Sequence, residues 1–271
     1  MKVPDSQVVA FLKVTDGVRL KYEVEGDGPA LLLHLGAGCD SDLWGAAGYV
    51  EPLAREHRCI LFDHRGHGES DRPRGPAANH VDRYVEDVIA LLDELGVERA
   101  AFWGYSNGIV VGLKAVEEHP ARFSALVGSG AISRLNLAQL AESLPRRIAE
   151  RREFGWEKMI EGFDEEEVHP VPTWMKDRIR ATDIEQTIDW SRAILEWNWD
   201  PWESLRWITA PTLFVVGELE DPDDSMAEAA ATMQDASRFR IQEQGHINAF
   251  LRSDLVLPRV LTFLAGAEEA T

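Results

Sequence analysis

Cysteine is nearly absent from this chain: two in 271 residues, Cys39 and Cys59. That leaves no disulfide scaffold, and reduced thiols are the expected state, with Cys59 in an apolar run and Cys39 in a glycine-rich, partly exposed loop. Basic residues are also scarce, 28 Lys and Arg against 47 Asp and Glu, for a formal charge of −19. Such a surface repels polyanions, so nucleic acid and anionic membranes are not expected as partners. No apolar run reaches the length of a membrane span. The opening Met1-Lys-Val-Pro-Asp-Ser6 lacks the basic and apolar regions of a signal peptide, and a cytoplasmic location is the expectation. No P-loop, zinc-ligand spacing, internal repeat or low-complexity tract is found, so neither a metal nor an organic cofactor is expected.

What is present is the composition of an ordinary globular protein, 45% hydrophobic and 28% charged, long enough for a sizeable core. Val8–Val14 and Val18–Val24 read as strands around the turn Thr15-Asp16-Gly17. Ala30–Leu35 is a continuous apolar run, as a strand buried on both faces requires. A glycine-rich loop, 36–42, leads to a helix expected from Leu43 to about Glu56. The strand Arg58–Asp63 follows, then a turn-rich stretch to Pro73. Val81–Leu95 has helical apolar spacing, ended by Gly96. A strand reaching Trp103, a helix to Glu118 and a strand over Ala121–Val127 continue the alternation. From Ala131 to Ile208 no strand is evident, and that stretch holds seven of the nine tryptophans. Strands return at Pro211–Gly217 and Ser237–Ile241, with helices around Ser225–Gln234 and Asn248–Leu264. Strands alternating with helices imply a mostly parallel α/β sheet. The interruption reads as a helical cap, 131–208, inserted into a core of 1–130 and 209–271.

The chemistry centres on Gly104-Tyr-Ser-Asn-Gly108 between a strand and a helix. Such a turn holds its serine in a strained conformation with the hydroxyl exposed, and the flanking glycines let strand and helix pass closely. A serine hydroxyl needs a base, and the base needs a carboxylate to fix its tautomer. His246, directly after the last strand, is the candidate base. His34 precedes the serine; His57, His80, His119 and His169 sit in helical or charged contexts typical of solvated surface. His64 and His67 form an H-x-x-H turn without a third ligand. Acid candidates follow the strand ending at Gly217: Glu218, Glu220 and Asp221.

With His34-Leu-Gly-Ala-Gly38, Asp63-His-Arg-Gly-His-Gly-Glu-Ser70, Gly217-Glu-Leu-Glu220 and Gly245-His246 added to the pentapeptide, the chain resembles an α/β-hydrolase over essentially its whole length. The resemblance implies a catalytic Ser106, His246 and acid, with oxyanion N–H groups from Asn107 and from the loop after Leu35. Relatives usually carry Asp at the fourth position of Gly-x-x-Asp; here that position is Glu220, favoured over Asp221. Relatives commonly read His-Gly-x in the oxyanion loop, and counting back from Trp44 favours Ala37 as the second donor, with Leu35 as the alternative. The implied reaction is hydrolysis of a small acyl substrate (ester, lactone or thioester) through an acyl-enzyme. Aspartate-nucleophile activities of this fold are unlike a chain with Ser106. A ligand sensor with little turnover, a carbon–carbon hydrolase and a cofactor-free perhydrolase remain alternatives; oligomeric state is unreadable.

Three further readings complete the expectations. Gly36-Ala-Gly-Cys-Asp-Ser41 with Asp63 is a poor dinucleotide fingerprint, because Ser41 stands where the third glycine belongs. Asp63–Ser70 is expected to lock loops structurally. The acidic run Asp164-Glu-Glu-Glu167 is expected to be a solvated face or loop, and the cap tryptophans to divide between packing and pocket lining.

Overall fold

The computed structural model describes residues 9–134 and 136–269; Met1–Ser6 and the expected strand start at Val8 lie outside the described residues. Eight strands form one sheet in the order β1-β2-β4-β3-β5-β6-β7-β8. They are β1 (Ala10–Lys13), β2 (Arg19–Glu25), β3 (Ala30–His34), β4 (Arg58–Phe62), β5 (Ala100–Tyr105), β6 (Phe123–Ser129), β7 (Thr212–Gly217) and β8 (Ala236–Ile241). β1 and β2 form the hairpin and pair antiparallel, as do β2 and β4. Every pairing from β4 through β3 to β8 is parallel. The fold is the expected mostly parallel α/β sheet flanked by helices.

The helices are α1 (Asp42–Ala46), α2 (Val50–Leu53), α3 (Val81–Glu94), α4 (Asn107–Glu118), α5 (Leu137–Phe154), α6 (Glu157–Glu166), α7 (Thr173–Arg180), α8 (Ile184–Ile194), α9 (Pro201–Ser204), α10 (Ser225–Thr232), α11 (His246–Leu251) and α12 (Ser253–Glu269). Successive side chains of a strand point to opposite faces, and the core divides accordingly. Leu31, Leu33, Trp103 and Val215 pack on one face with α1, α2 and α12. Leu32, Phe102, Leu126 and Phe214 pack on the other with α3, α4 and α10. Between β6 and β7 the described residues hold α5 to α9 and no strand.

Three expected elements differ. The helix expected over 43–56 is two short ones, because Gly48 at φ +84 turns the chain left-handed between them. The closing helix expected over 248–264 is likewise divided, with a break at Arg252 (φ −89, ψ 53) between α11 and α12. The strand expected over 121–127 starts only at Phe123, because Pro120–Arg122 forms a 3-10 turn. Cys39 is buried rather than partly exposed, and Cys59 is buried as expected; both are free thiols. His57, expected at the surface, is 3% exposed. Among the described residues no helix is long and apolar enough to cross a membrane.

Asp63 shows why its turn is polar. Oδ1 accepts from Ser41 N and Ser41 Oγ at 2.8 and 2.7 Å, and Oδ2 accepts from Glu69 N at 2.8 Å. Arg65 holds Asp87 through two bonds of 2.7 and 2.6 Å in the interior. These are loop locks, formed by charge-assisted hydrogen bonds that satisfy buried polar groups.

Candidate active site

β5 ends at Tyr105 and α4 starts at Asn107, so the whole reversal falls on Ser106, at φ 57 and ψ −124. A non-glycine residue held there costs on the order of 1–3 kcal/mol and persists only when its surroundings over-determine it. The surroundings do so. Ser106 N donates to Ser129 O at 2.9 Å, and Ile109 N donates back to Ser106 O at 3.0 Å. A Cβ at Gly104 would stand 2.3 Å from Gly108 O, and one at Gly108 would stand 2.4 Å from His34 O. Neither position tolerates a side chain, which is the physical reason for both glycines of the pentapeptide.

His246 begins α11, and its Nδ1 lies 2.7 Å from Glu220 Oε2. With Nδ1–H donating to the carboxylate, Nε2 is left as a proton acceptor. Glu220 is held in turn by two backbone donors: Gly217 N to Oε1 at 2.9 Å and Ala131 N to Oε2 at 3.1 Å. Burial opposes ionisation of Glu220, but the His246 charge and hydrogen bond, with these N–H groups, hold the carboxyl below its ordinary value. For His246 burial is the largest influence and favours the neutral ring. The charge and hydrogen bond of Glu220, joined by the charges of Glu166 and Glu167, outweigh it and raise the pKa above 6.5. The ring stacks on Tyr105, with centroids 4.9 Å apart.

Asp221, the alternative acid, is engaged elsewhere. Its Oδ1 accepts from Ser225 N and Oγ at 2.7 and 2.6 Å, and its Oδ2 accepts from Met226 N at 3.0 Å, so it caps α10. Glu218 accepts from Glu243 N at 3.0 Å.

Ser106, Asn107, Ala37, Glu220 and His246 all line one cavity of about 900 Å³. Leu35, the alternative oxyanion donor, is 2% exposed and packs in the core. Gly36 sits against the serine: a Cβ there would lie 2.5 Å from Ser106 Cβ and 3.0 Å from Asn107 N. Glycine at 36 therefore lets the loop carrying Ala37 close onto the first turn of α4. Trp156, Trp190 and Trp197 line the cavity, whereas Trp174 and Trp207 are 42% and 67% exposed. Trp202 packs in the core and donates Nε1–H to Ile132 O at 3.1 Å.

His64 and His67 are buried, with rings 3.9 Å apart, and His64 stacks on His34 at 4.9 Å. Burial first, then neighbouring histidine charge, keeps His64 neutral. Among the described residues no group of three or more His, Cys, Asp or Glu side chains is placed to hold a metal ion.

Sequence reasoning missed a residue that supports the site. Glu167, read as part of a solvated acidic run, accepts from Gly245 N at 2.7 Å and from Ile247 N and Asn248 N at 2.9 Å each. Asp164, in the same run, accepts from Val171 N at 2.8 Å. An acidic run four residues long carries no signal for which oxygen meets which N–H; only the chain fold brings 167 to 245.

A family model described as alpha/beta hydrolase fold matches residues 29–253. A proline iminopeptidase of Heyndrickxia coagulans is 25% identical over 264 residues, covering 86% of this chain and 90% of that protein. 3-Oxoadipate enol-lactonase 2 of Acinetobacter baylyi is 30% identical over 136 residues, 49% of each chain. In the curated relatives first matched, the shared stretch spans 39% to 49% of the relative's own length. The crystal structure of a hydrolase from Pseudomonas aeruginosa superposes with a TM-score of 0.81 at 27% identity, covering 96% of this chain and 99% of that one.

Proposed function

Because this chain belongs to the alpha/beta hydrolase fold family, we propose that it cleaves a small carboxylic ester, lactone or thioester through a triad of Ser106, His246 and Glu220. The observation that carries the reading is the 2.7 Å contact between His246 Nδ1 and Glu220 Oε2 at the edge of the cavity that also receives the strained Ser106. In this reading His246 Nε2 takes the proton from Ser106 Oγ as the oxygen attacks the substrate carbonyl. Glu220 stabilises the imidazolium that forms. The backbone N–H groups of Asn107 and Ala37 receive the oxyanion, a contribution of about 3 kcal/mol for each donor. The proton passes to the leaving oxygen or sulfur, the C–O or C–S bond breaks, and the acyl group stays on Ser106. Water, deprotonated by His246, then releases the acid and restores the serine.

The segment 131–208 acts in this account as a cap. Its α5 and α8 supply cavity residues such as Gln139, Ser143, Thr187 and Trp190, so its geometry sets substrate size. A panel of short-chain methyl and p-nitrophenyl esters, lactones and thioesters, assayed with wild type and Ser106→Ala, tests the reading. Turnover that disappears in Ser106→Ala supports it; equal background rates in both proteins contradict it and favour a ligand sensor on the same fold.

A further inference from the structure

Helix α5 turns an unusual face toward the cavity. Gln139, Ser143, Arg147 and Arg151, four residues apart in succession, all line it, and residues at i and i+4 share one side of a helix. The same cavity is lined by Trp156, Phe163, Trp190, Ile194 and Trp197. Arg134 also lines the cavity but is paired with Glu228 at 2.6 Å; a cavity built only to take apolar acyl groups has no need of two further guanidinium groups.

The four arginines at the C-terminal half of α5 divide by direction. Arg146 pairs with Glu150 at 2.7 Å and Arg152 with Glu185 at 2.8 Å, both away from the cavity. Arg147 and Arg151, which line it, have no carboxylate partner among the described residues, in a chain whose acids outnumber its bases by 47 to 28. Arg151 spends one nitrogen, Nη1, on Ser191 Oγ at 2.8 Å and Thr187 O at 3.3 Å. Those bonds fix the guanidinium against α8 and leave its other N–H donors free for the cavity. Burial first, then the Arg147 charge, pushes Arg151 down to about 10, so it remains a cation at neutral pH. Arg147 is exposed and Arg151 partly buried; at Arg151 an uncompensated charge is costly unless a ligand pairs with it. Thr187, whose carbonyl Arg151 holds, lines a small side chamber that Ala37 and Asn107 also line.

We propose that Arg151, assisted by Arg147, forms a subsite for a carboxylate that the substrate carries away from its reacting carbonyl, so that the preferred substrates are half-esters or lactones bearing a free carboxylate. A planar guanidinium matches a carboxylate through paired N–H donors. The cavity also contains Glu166 and Glu220, whose charges disfavour a dianion such as a phosphate monoester. The inference rests on the acyl-hydrolase reading for turnover, but the subsite is separable from it.

The test compares monomethyl esters of linear dicarboxylic acids, five to ten carbons long, with methyl esters of monocarboxylic acids of equal length, following methanol release. Wild type is expected to favour at least one half-ester over its neutral counterpart by about tenfold or more in kcat/KM. Arg151→Gln is expected to lower that ratio at least tenfold, Arg147→Gln severalfold, and Arg151→Lys to restore part of it. The neutral ester is the internal control for folding, and Arg151→Lys keeps the question open to measurement if the glutamine variant does not fold. Absence of any half-ester preference in wild type, or a ratio unchanged in Arg151→Gln, overturns the subsite. Should wild type turn over neither ester, the acyl-hydrolase reading fails by itself, and adipate binding followed by tryptophan fluorescence decides the subsite. Binding that Arg151→Gln abolishes sustains it, and no binding overturns it.

Discussion

The Glu167 carboxylate closes the N-terminus of the helix that His246 begins. Both of its oxygens are used, on Gly245 N and on the paired N–H groups of Ile247 and Asn248. A helix N-terminus has unsatisfied N–H groups and a partial positive charge, so an anion there both completes the hydrogen bonding and stabilises the helix. Here the anion comes from the segment between β6 and β7, and the helix carries the proposed base. The region over the cavity and the orientation of the imidazole are thus mechanically joined.

Glu167→Ala is expected to lower stability by roughly 0.5–2 kcal/mol, the range for loss of a helix-capping side chain, and to reduce kcat more than it raises KM, because the ring at 246 loses its seat. Thermal unfolding together with steady-state kinetics checks this. An unchanged kcat would show that α11 holds His246 without Glu167.

Glu220 and Asp221 are adjacent yet make separate contacts. Glu220→Gln should lower kcat by about 10³- to 10⁴-fold with little change in melting temperature, since it removes the group that fixes the imidazole tautomer. Asp221→Asn should leave kcat within a few-fold and lower the melting temperature, because it weakens the cap on α10. The opposite ranking would move the catalytic role to Asp221.

The pH dependence follows from the raised His246 pKa. Only the neutral ring accepts the serine proton, so kcat/KM is lost as pH falls through the pKa of the free enzyme. With that pKa above 6.5, the acid limb should be centred above 6.5. Glu166→Gln removes one of the negative charges that raise it and should move the limb to lower pH, more so at low salt. A limb centred below 6.5 in wild type would contradict the assigned electrostatics.

Gly36→Ala tests the oxyanion loop. Its Cβ would meet Ser106 Cβ at 2.5 Å, so loop and serine must separate by about 1 Å to regain ordinary contact. A misplacement of that size costs roughly 10²-fold. The expected result is a kcat reduced about that much in a protein that still folds; wild-type kcat would exclude Ala37 as a donor.

The sheet was legible because parallel strands buried on both faces are unbroken apolar runs, as in Ala30–His34 and Thr212–Gly217, separated by glycine-terminated helical patterns. Helix breaks were not. Gly48 can sit within or between helices, and only its left-handed φ decides. Ser106 and His246 were legible as candidates because each follows a strand in a short turn. Which neighbouring acid reaches His246 was ambiguous, since Glu220 and Asp221 differ by one methylene and one position, and the outcome depends on where Gly217 ends β7. Glu167, Arg147 and Arg151 could not be singled out. Charged residues in helical sequence look alike until the fold shows which of them face a cavity rather than solvent.

The most direct measurement is labelling by a fluorophosphonate followed by peptide mass analysis, alongside turnover of the best ester by wild type and Ser106→Ala. A single adduct is expected on the peptide containing Ser106, with loss of ester turnover in proportion to labelling, and neither labelling nor turnover in Ser106→Ala. An adduct on another residue, or turnover that survives Ser106→Ala, would contradict Ser106 as the nucleophile.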